Sequence, residues 1–440
     1  MPVERAREQS MDTITSFSAF PAQRRHSRFL ERLMLSRAVQ RLLGFGFAVL
    51  LPTLAAKGGS VWETSDLSRA VTVLTIALAY WGSLTCVQRM SRFPGVRAYL
   101  LSIPAASACF GIPFLLLYVT SIELIDELYL ASYLLTSLYC TAGYWVGRHY
   151  RVHKLAVVPF GKALSLCHSH GVDWRYLETP DLGEARVDGV VADLRAEFTP
   201  EWERFLAHCT LNRIPVYHAT TNFERLTGRV QLGHLYENRY GSLQPDEGYE
   251  ALKRSLDVLA VLALMPVALP LMALTALAIR LDSPGPALFT QPRMGFQCRP
   301  FVVYKFRSMF IDHRGTGFTQ DGEDPRITRV GKAIRKYRLD ELPQLFNVLK
   351  GDMSLIGPRP ESMDLADWYQ KDVPFFHYRH VVRPGISGWA QVEQGYAAEV
   401  DGMNEKLEYD FYYIKNISLW LDLLIVLRTI RTVLTGFGSR

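Results

Sequence analysis

The segment LDELPQ, residues 339–344, sets Asp340 beside Glu341, with Arg335, Lys336 and Arg338 just before them and Pro343 just after. Adjacent carboxylates in so basic a setting have two uses. They suit the electropositive start of a helix that opens at the proline. They also suit chemistry at phosphorus, where one carboxylate attacks and the other holds a metal ion, provided that cations shield the attacking charge from the anion it meets. The chain supplies such cations in rigid settings: Arg359 in GPRPE and Arg383 in VRPGISGWAQV. An arginine fork pairs with phosphate oxygens bidentately, and flanking proline and glycine fix the fork while letting backbone come close. The partner that fits is an anionic, phosphorylated substrate.

Much of what positions these residues is membrane-like. The 440 residues are 49% apolar with a mean hydropathy of +0.04, a value that averages a strongly apolar first third with ordinary soluble stretches. Apolar runs at 39–56, 70–87, 99–119 and 128–147 are each near the roughly 20 residues needed to span a bilayer. Arginines crowd before the first run, between the second and third, and after the fourth, whereas Glu123, Asp126 and Glu127 separate the third from the fourth. By the positive-inside rule both ends of this bundle face the cytoplasm. The N-terminus lacks the apolar core and cleavage site of a signal peptide, so insertion is expected to rely on internal segments.

The net charge of +6 is too mild to indicate nucleic acid, and its clustering beside apolar runs fits anionic lipid headgroups. The six cysteines form no C-x-x-C pair and read as small apolar fillers; Cys167, His168 and His170 in CHSHG are too few for a metal site. Residues 154–218 alternate short strands (KLAVVPFG, RVDGVVADL, RIPVYHA) with a helix through EWERFLAHCTLN, which predicts a small parallel, Rossmann-like α/β domain. Only Gly161 stands where a dinucleotide turn would need three glycines, so a structural or regulatory role, including a dimer contact, is expected for it.

A different membrane element follows. Residues 258–279 run without a charge, but Pro266 and Pro270 sit four apart on one side of the helix, each removing an N–H and crowding the preceding turn. Both flanks are basic, Lys253 and Arg254 before and Arg280 after, which predicts a bent, re-entrant helix whose ends return to one cytoplasmic surface. Arg329, Lys332, Arg335 and Arg338 recur every third residue, as on one flank of a helix, and the run from Ile417, ISLWLDLLIVLRTIRTVL, reads as an amphipathic interface helix.

These motifs carry a resemblance. KRSLD before a bent apolar helix, VYKFRSM, RKYRLDELPQLFNVLKGDMSLIGPRPE, VRPGISGWAQV and YDFYYIKNISLWLD resemble, in order and over about residues 250–440, the bacterial monotopic phosphoglycosyl transferases. The preceding spans and GVVADL…IPVYHATTNFERLTGRV are similar to the long members, the undecaprenyl-phosphate galactose or glucose phosphotransferases. The resemblance implies a UDP-sugar donor, undecaprenyl phosphate as acceptor, UMP as product, and a place at the start of exopolysaccharide, capsule or O-antigen synthesis. It implies Asp340 as nucleophile, Glu341 as catalytic partner and Mg2+ ligand, and Lys305, Arg335, Arg359 and Arg383 as phosphate contacts, in an enzyme of the bacterial inner membrane with its catalytic domain on the cytoplasmic side. Pro270 falls on the family's helix-breaking proline; the residue before it is Leu269 where the family commonly has Ser, and Pro266 is additional. The expected organisation is a cytoplasmic tail at 1–38, a four-helix transmembrane bundle at 39–147, the α/β domain at 148–245 and the catalytic domain at 246–440, with its re-entrant helix at 256–281.

Overall fold

The computed structural model describes residues 36–56, 66–150, 153–168, 171–183, 185–232, 244–311, 324–373, 375–394 and 400–435. The expected tail, up to residue 35, and His170 lie outside the described residues. The chain divides into two compact units, Met1–Gly228 and Arg229–Arg440. The division falls earlier than residue 245 because Arg229 pairs with Glu405 and Glu408, and Val230 N–H bonds Glu408 O, all within the second unit.

In the first unit, α1 (Arg37–Ala55, with a wider turn at Gly46–Leu50), α2 (Asp66–Met90), α3 (Ala98–Val119) and α4 (Asp126–Tyr150) stand where the four early spans are expected. Among the described residues, four helices are long and apolar enough to cross a membrane: Arg37–Ala55, Leu67–Met90, Ala98–Val119 and, in the second unit, Glu247–Asp282. The 25-residue α4 has the length but falls short of that apolarity, because it carries tyrosines and hydroxyls. Several of these turn inward and bond neighbouring helices: Tyr129 O–H donates to Phe110 O (2.7 Å), Tyr139 O–H to Gln40 O (2.5 Å), and Thr141 pairs with Ser102 (2.8 Å).

The α/β region is a parallel sheet in the order β2-β1-β3-β4, with β1 His153–Val157, β2 Val172–Tyr176, β3 Gly189–Ala192 and β4 Val216–His218. Helices α5 (Ala163–Leu166), α6 (Pro200–Leu211) and α7 (Ala219–Thr227) complete it. The edge strand β2, VDWRY, escapes sequence reading although it alternates apolar and charged residues; it is short and partly exposed, whereas the central β3 is buried throughout. After β1, Gly161 takes φ +58, and the Lys162 N–H goes to the Asp193 carboxylate (2.9 Å), which also accepts from Arg195 N–H (3.2 Å).

The second unit is organised around α8 (Glu247–Asp282), which Asp246 caps through the N–H groups of Gly248 and Tyr249. Residues 253, 257, 261, 265, 268, 272, 275 and 279 form one buried stripe along it, while Leu262, Val267, Leu274 and Leu281 are exposed on the other sides. The backbone stays helical through Pro266 and Pro270. Both ends of α8 dock on one fold. Near its start Arg254 donates to Val348 O and Leu349 O, Lys253 pairs with Asp422 (2.7 Å) and Asp257 accepts from Ser354 (2.6 Å). At its end Asp282 accepts the Val330 N–H (3.1 Å), and the buried Arg307 donates to Ser283 O (2.8 Å) and Pro284 O (2.6 Å).

The fold that α8 docks on contains an antiparallel pair, β5 (Leu288–Met294) and β6 (Pro300–Phe306), then α9 (Arg329–Lys336), α10 (Gln344–Lys350), β7 (Ser354–Ile356), α11 (Met363–Asp372), β8 (Gly385–Ser387), α12 (Trp389–Glu393), α13 (Val400–Lys415) and α14 (Leu419–Thr435). Strands β7 and β8 pair in parallel, and their approach explains the glycines of GPRPE and RPGISG. A Cβ at Gly357 or Gly385 would strike the opposite backbone.

Candidate active site

The acid pair lies between two helices, in a 3-10 turn at Leu339–Glu341, and Pro343 caps α10. Helix α9 stops at Lys336, and Arg338 adopts a left-handed conformation (φ +53, ψ 26), a strained choice for a residue with a side chain. The expected four-residue stripe therefore loses its last member: Arg338 leaves the helix and turns its guanidinium to Glu341 Oε2 (3.8 Å). Asn347 fixes the next helix to the strand that bears Lys305, because its side chain accepts from Tyr304 N–H (3.0 Å) and donates to Val302 O (2.7 Å). This double bond to the β6 backbone sets the distance between Lys305 and the acids. Sequence reading passed over Asn347, which looks like any polar residue on a short helix.

Three cations converge on Glu341, which is nearly buried. Arg359 Nη2 lies 2.7 Å from Oε1, Lys305 Nζ 3.6 Å from Oε1, and Arg338 on the other oxygen. Burial works against the Glu341 charge, but Arg359, Lys305 and Arg338 outweigh it and hold the carboxyl down at about 2. Glu341 in turn keeps Arg359 above its ordinary value. Burial and the neighbouring Arg359 pull the Lys305 ammonium down to about 8.

Asp340 differs from its neighbour. It is half-buried, and among the described residues no hydrogen bond or ion pair engages its carboxylate. Burial and the adjacent Glu341 charge push it up to about 6, against the pull of Lys305, Arg359 and Arg335. The two carboxylates thus differ in environment: Glu341 is ionised and neutralised by its three cations, whereas Asp340 has a raised pKa and no bonded partner among the described residues.

The structure brings Lys305, Arg335 and Arg359 to the acid pair and leaves Arg383 elsewhere. Arg383 Nε donates to Gly351 O (3.3 Å), its guanidinium lies over the Phe296 ring (5.1 Å), and it lines a water-sized cavity with Lys253, Arg254 and Asp257. Pro266 and Pro270 lie within α8.

GPRPE is held along its length. Gly357 N–H donates to Ser387 O (2.8 Å), and the carbonyls of Pro358, Arg359, Pro360 and Glu361 accept from Gly385 N–H, Arg379, Arg293 and Met294 N–H. Arg379, 1% exposed, joins this wiring to a buried charge cluster: it reaches Arg359 O (2.8 Å), Asp410 (2.9 Å) and Glu361 (3.3 Å), and Glu361 also pairs with Lys406. Burial alone would raise the Glu361 pKa, yet Lys406 and Arg379 hold it at about 2. Arg379 and Lys406 carry no local motif, and only the folded chain shows that they brace the loop bearing Arg359.

Comparison with known proteins agrees with this geometry. Residues 248–436 match the family model described as bacterial sugar transferase. The chain is 49% identical over 421 residues, 95% of this chain and 99% of the relative, to the UDP-N-acetylgalactosamine-undecaprenyl-phosphate N-acetylgalactosaminephosphotransferase of Aeromonas hydrophila. It is 44% identical over 212 residues, 47% of this chain and 79% of the relative, to the UDP-glucose:undecaprenyl-phosphate glucose-1-phosphate transferase of Caulobacter vibrioides. It is 41% identical over 192 residues, 42% of this chain and 96% of the relative, to the exopolysaccharide production protein PSS of Rhizobium leguminosarum bv. phaseoli. With its acid pair set among arginines beside a membrane-type helix, the chain belongs to the bacterial sugar transferase family.

Proposed function

We propose that the chain transfers a sugar 1-phosphate from a UDP-sugar to undecaprenyl phosphate, releasing UMP, through a phosphosugar carried on Asp340. The observation that supports this best is the free Asp340 carboxylate beside a Glu341 already neutralised by Arg359, Lys305 and Arg338. An Asp340 oxygen attacks the sugar-bearing phosphorus, the bond from that phosphorus to the bridging oxygen breaks, and UMP departs. An oxygen of undecaprenyl phosphate then attacks the same phosphorus, the Asp340 O–P bond breaks, and the carboxylate is restored. Lys305, Arg335 and Arg359 orient the diphosphate and reduce its repulsion of the nucleophile.

The donor set fits Mg2+, which takes one or two carboxylates and completes its shell with water and substrate phosphate. Glu341, whose Oε2 has Arg338 at 3.8 Å, is the carboxylate that would hold it, which leaves Asp340 to attack. Bound there, Mg2+ would neutralise charge on the diphosphate. The near full-length relative supports N-acetylgalactosamine as the sugar, since the glucose transferase matches over the C-terminal half alone. Docking of both ends of α8 on one fold supports a re-entrant helix, and its basic flanks, Lys253, Arg254 and Arg280, support a catalytic unit on the cytoplasmic face of the inner membrane. Self-association, with the α/β region as the contact, is the role proposed for that region.

The test is to incubate the purified chain with sugar-labelled UDP-N-acetylgalactosamine and no lipid. Acid-stable label is expected on wild type and none on Asp340→Asn. No label on wild type, or undiminished label on Asp340→Asn, would refute the nucleophile.

A further inference from the structure

A cavity of about 320 Å³ opens beside the acid pair. Its walls are mainly aliphatic: Leu339, Leu342 and Leu345 from the segment that bears Asp340 and Glu341, Ile386 from β8, Val392 from α12 and Val433 from α14. Most of the polar side chains in the wall bond within the protein. Ser387 pairs with Thr429 (2.6 Å), Thr429 donates to Ile425 O (2.7 Å), Thr432 to Arg428 O (2.8 Å) and the Gln391 amide to Ile386 O (3.1 Å). The Gln391 oxygen is the exception, buried in the wall with no hydrogen-bond partner among the described residues.

A sugar or a uracil ring seated here would find Gln391 Oε1 as the one orphaned buried acceptor in the described wall and would leave most of its own hydroxyl, N–H and carbonyl groups without partners, whereas an isoprenoid chain needs none. Charge is confined to the end where Arg338 and Glu341 join the cavity to the site. Helix α14, which forms one wall, turns Thr429, Thr432 and Val433 to the cavity and exposes Val426 and Ile430 (37% and 52%) on its outer side, as a helix at a membrane interface does. The cavity therefore runs from a helix with an exposed apolar face to Glu341, the neighbour of Asp340.

Building on the two-step reading above, we infer that this cavity seats the first isoprene units of the polyprenyl phosphate acceptor, with the acceptor's phosphate turned toward Arg338. The donor's phosphates meet Lys305, Arg335 and Arg359 instead, so the two substrates have separate binding determinants. In the second step the acceptor oxygen reaches the phosphorus on Asp340 from the cavity end, forming the new P–O–P bond as the Asp340 O–P bond breaks.

The test fills the cavity at half-buried wall positions, with Val433→Trp and Val392→Phe as independent variants of the full chain in lipid nanodiscs. Single-turnover UMP release and labelled protein, measured with UDP-N-acetylgalactosamine and no lipid, are expected to match wild type. The chase of label onto undecaprenyl phosphate is expected to slow about tenfold or more, and the KM for that lipid alone to rise. A chase at the wild-type rate in both variants, or a raised KM for the nucleotide sugar with a normal chase, would overturn the assignment. Should wild type form no labelled intermediate, the two-step reading fails on its own account. The steady-state KM values then decide the cavity: a rise for the lipid alone upholds the assignment, and a rise for the nucleotide sugar or no change overturns it.

Discussion

Asp340→Asn is expected to abolish transfer and at the same time stabilise the protein. The Asp340 pKa lies at about 6, against an ordinary 3.8, because burial and Glu341 together outweigh the nearby cations. Below pH 3.8 the carboxyl is protonated in folded and unfolded chains alike and contributes nothing. Between 3.8 and about 6 the folded chain retains a proton that the unfolded chain has released, so stability falls as pH rises; above about 6 the whole cost remains. That separation corresponds to roughly 2–3 kcal/mol at neutral pH. In a unit the size of Arg229–Arg440 this is a rise of about 4–10 °C in melting temperature. The assay is thermal unfolding of wild type and variant in one detergent from pH 4 to 8. The variant should melt higher at pH 8, and the gap should close toward pH 4. A variant that melts no higher than wild type at pH 8, or a gap that ignores pH, would refute the electrostatic account of the nucleophile.

Single-turnover UMP release should fall as pH drops through about 6, because protonation removes the nucleophile, and Arg335→Gln, which deletes a cation that lowers the Asp340 pKa, should move that limb to higher pH; an unmoved limb would remove Arg335 from the field. Arg379→Lys keeps the buried charge but cannot reach Glu361, Asp410 and Arg359 O together, so kcat should fall roughly 10–100-fold with the KM for UDP-sugar little changed, and a normal kcat would show that Arg359 needs no brace. Removing Mg2+ with EDTA should stop UMP release, with recovery on adding Mg2+; release undiminished in EDTA would exclude the metal. Single cysteines at Glu247 and Pro286, exposed at the two ends of α8, should both be labelled from the cytoplasmic side, and labelling of Pro286→Cys only from outside would rule out the re-entrant helix.

Some of this was legible in the chain and some was not. The membrane helices announce themselves because an apolar run of spanning length is a local property, and observed bounds such as Ala98–Val119 lie close to the expected 99–119. Strand β2 was missed although VDWRY alternates as strands do, because five residues on a partly exposed edge form no continuous apolar run like that of β3. The acids and the arginines of GPRPE and RPGISG could be singled out because charged residues close to proline and glycine are conspicuous in sequence, and Lys305 because its motif resembles the family's. Their partnerships could not. Arg383 and Arg359 sit in similar motifs, yet Arg359 reaches Glu341 while Arg383 packs on Phe296.

The sequence by itself determined the membrane character, the placing of the helices and the chemical types available for phosphorus chemistry, since each depends on residues close along the chain. The tertiary structure decided which carboxylate is paired and which is free. It also decided that Asn347 and Arg379 position the site and that an apolar cavity ends at Arg338. Those facts depend on distances between residues far apart in sequence, and on the burial that turns such distances into energies.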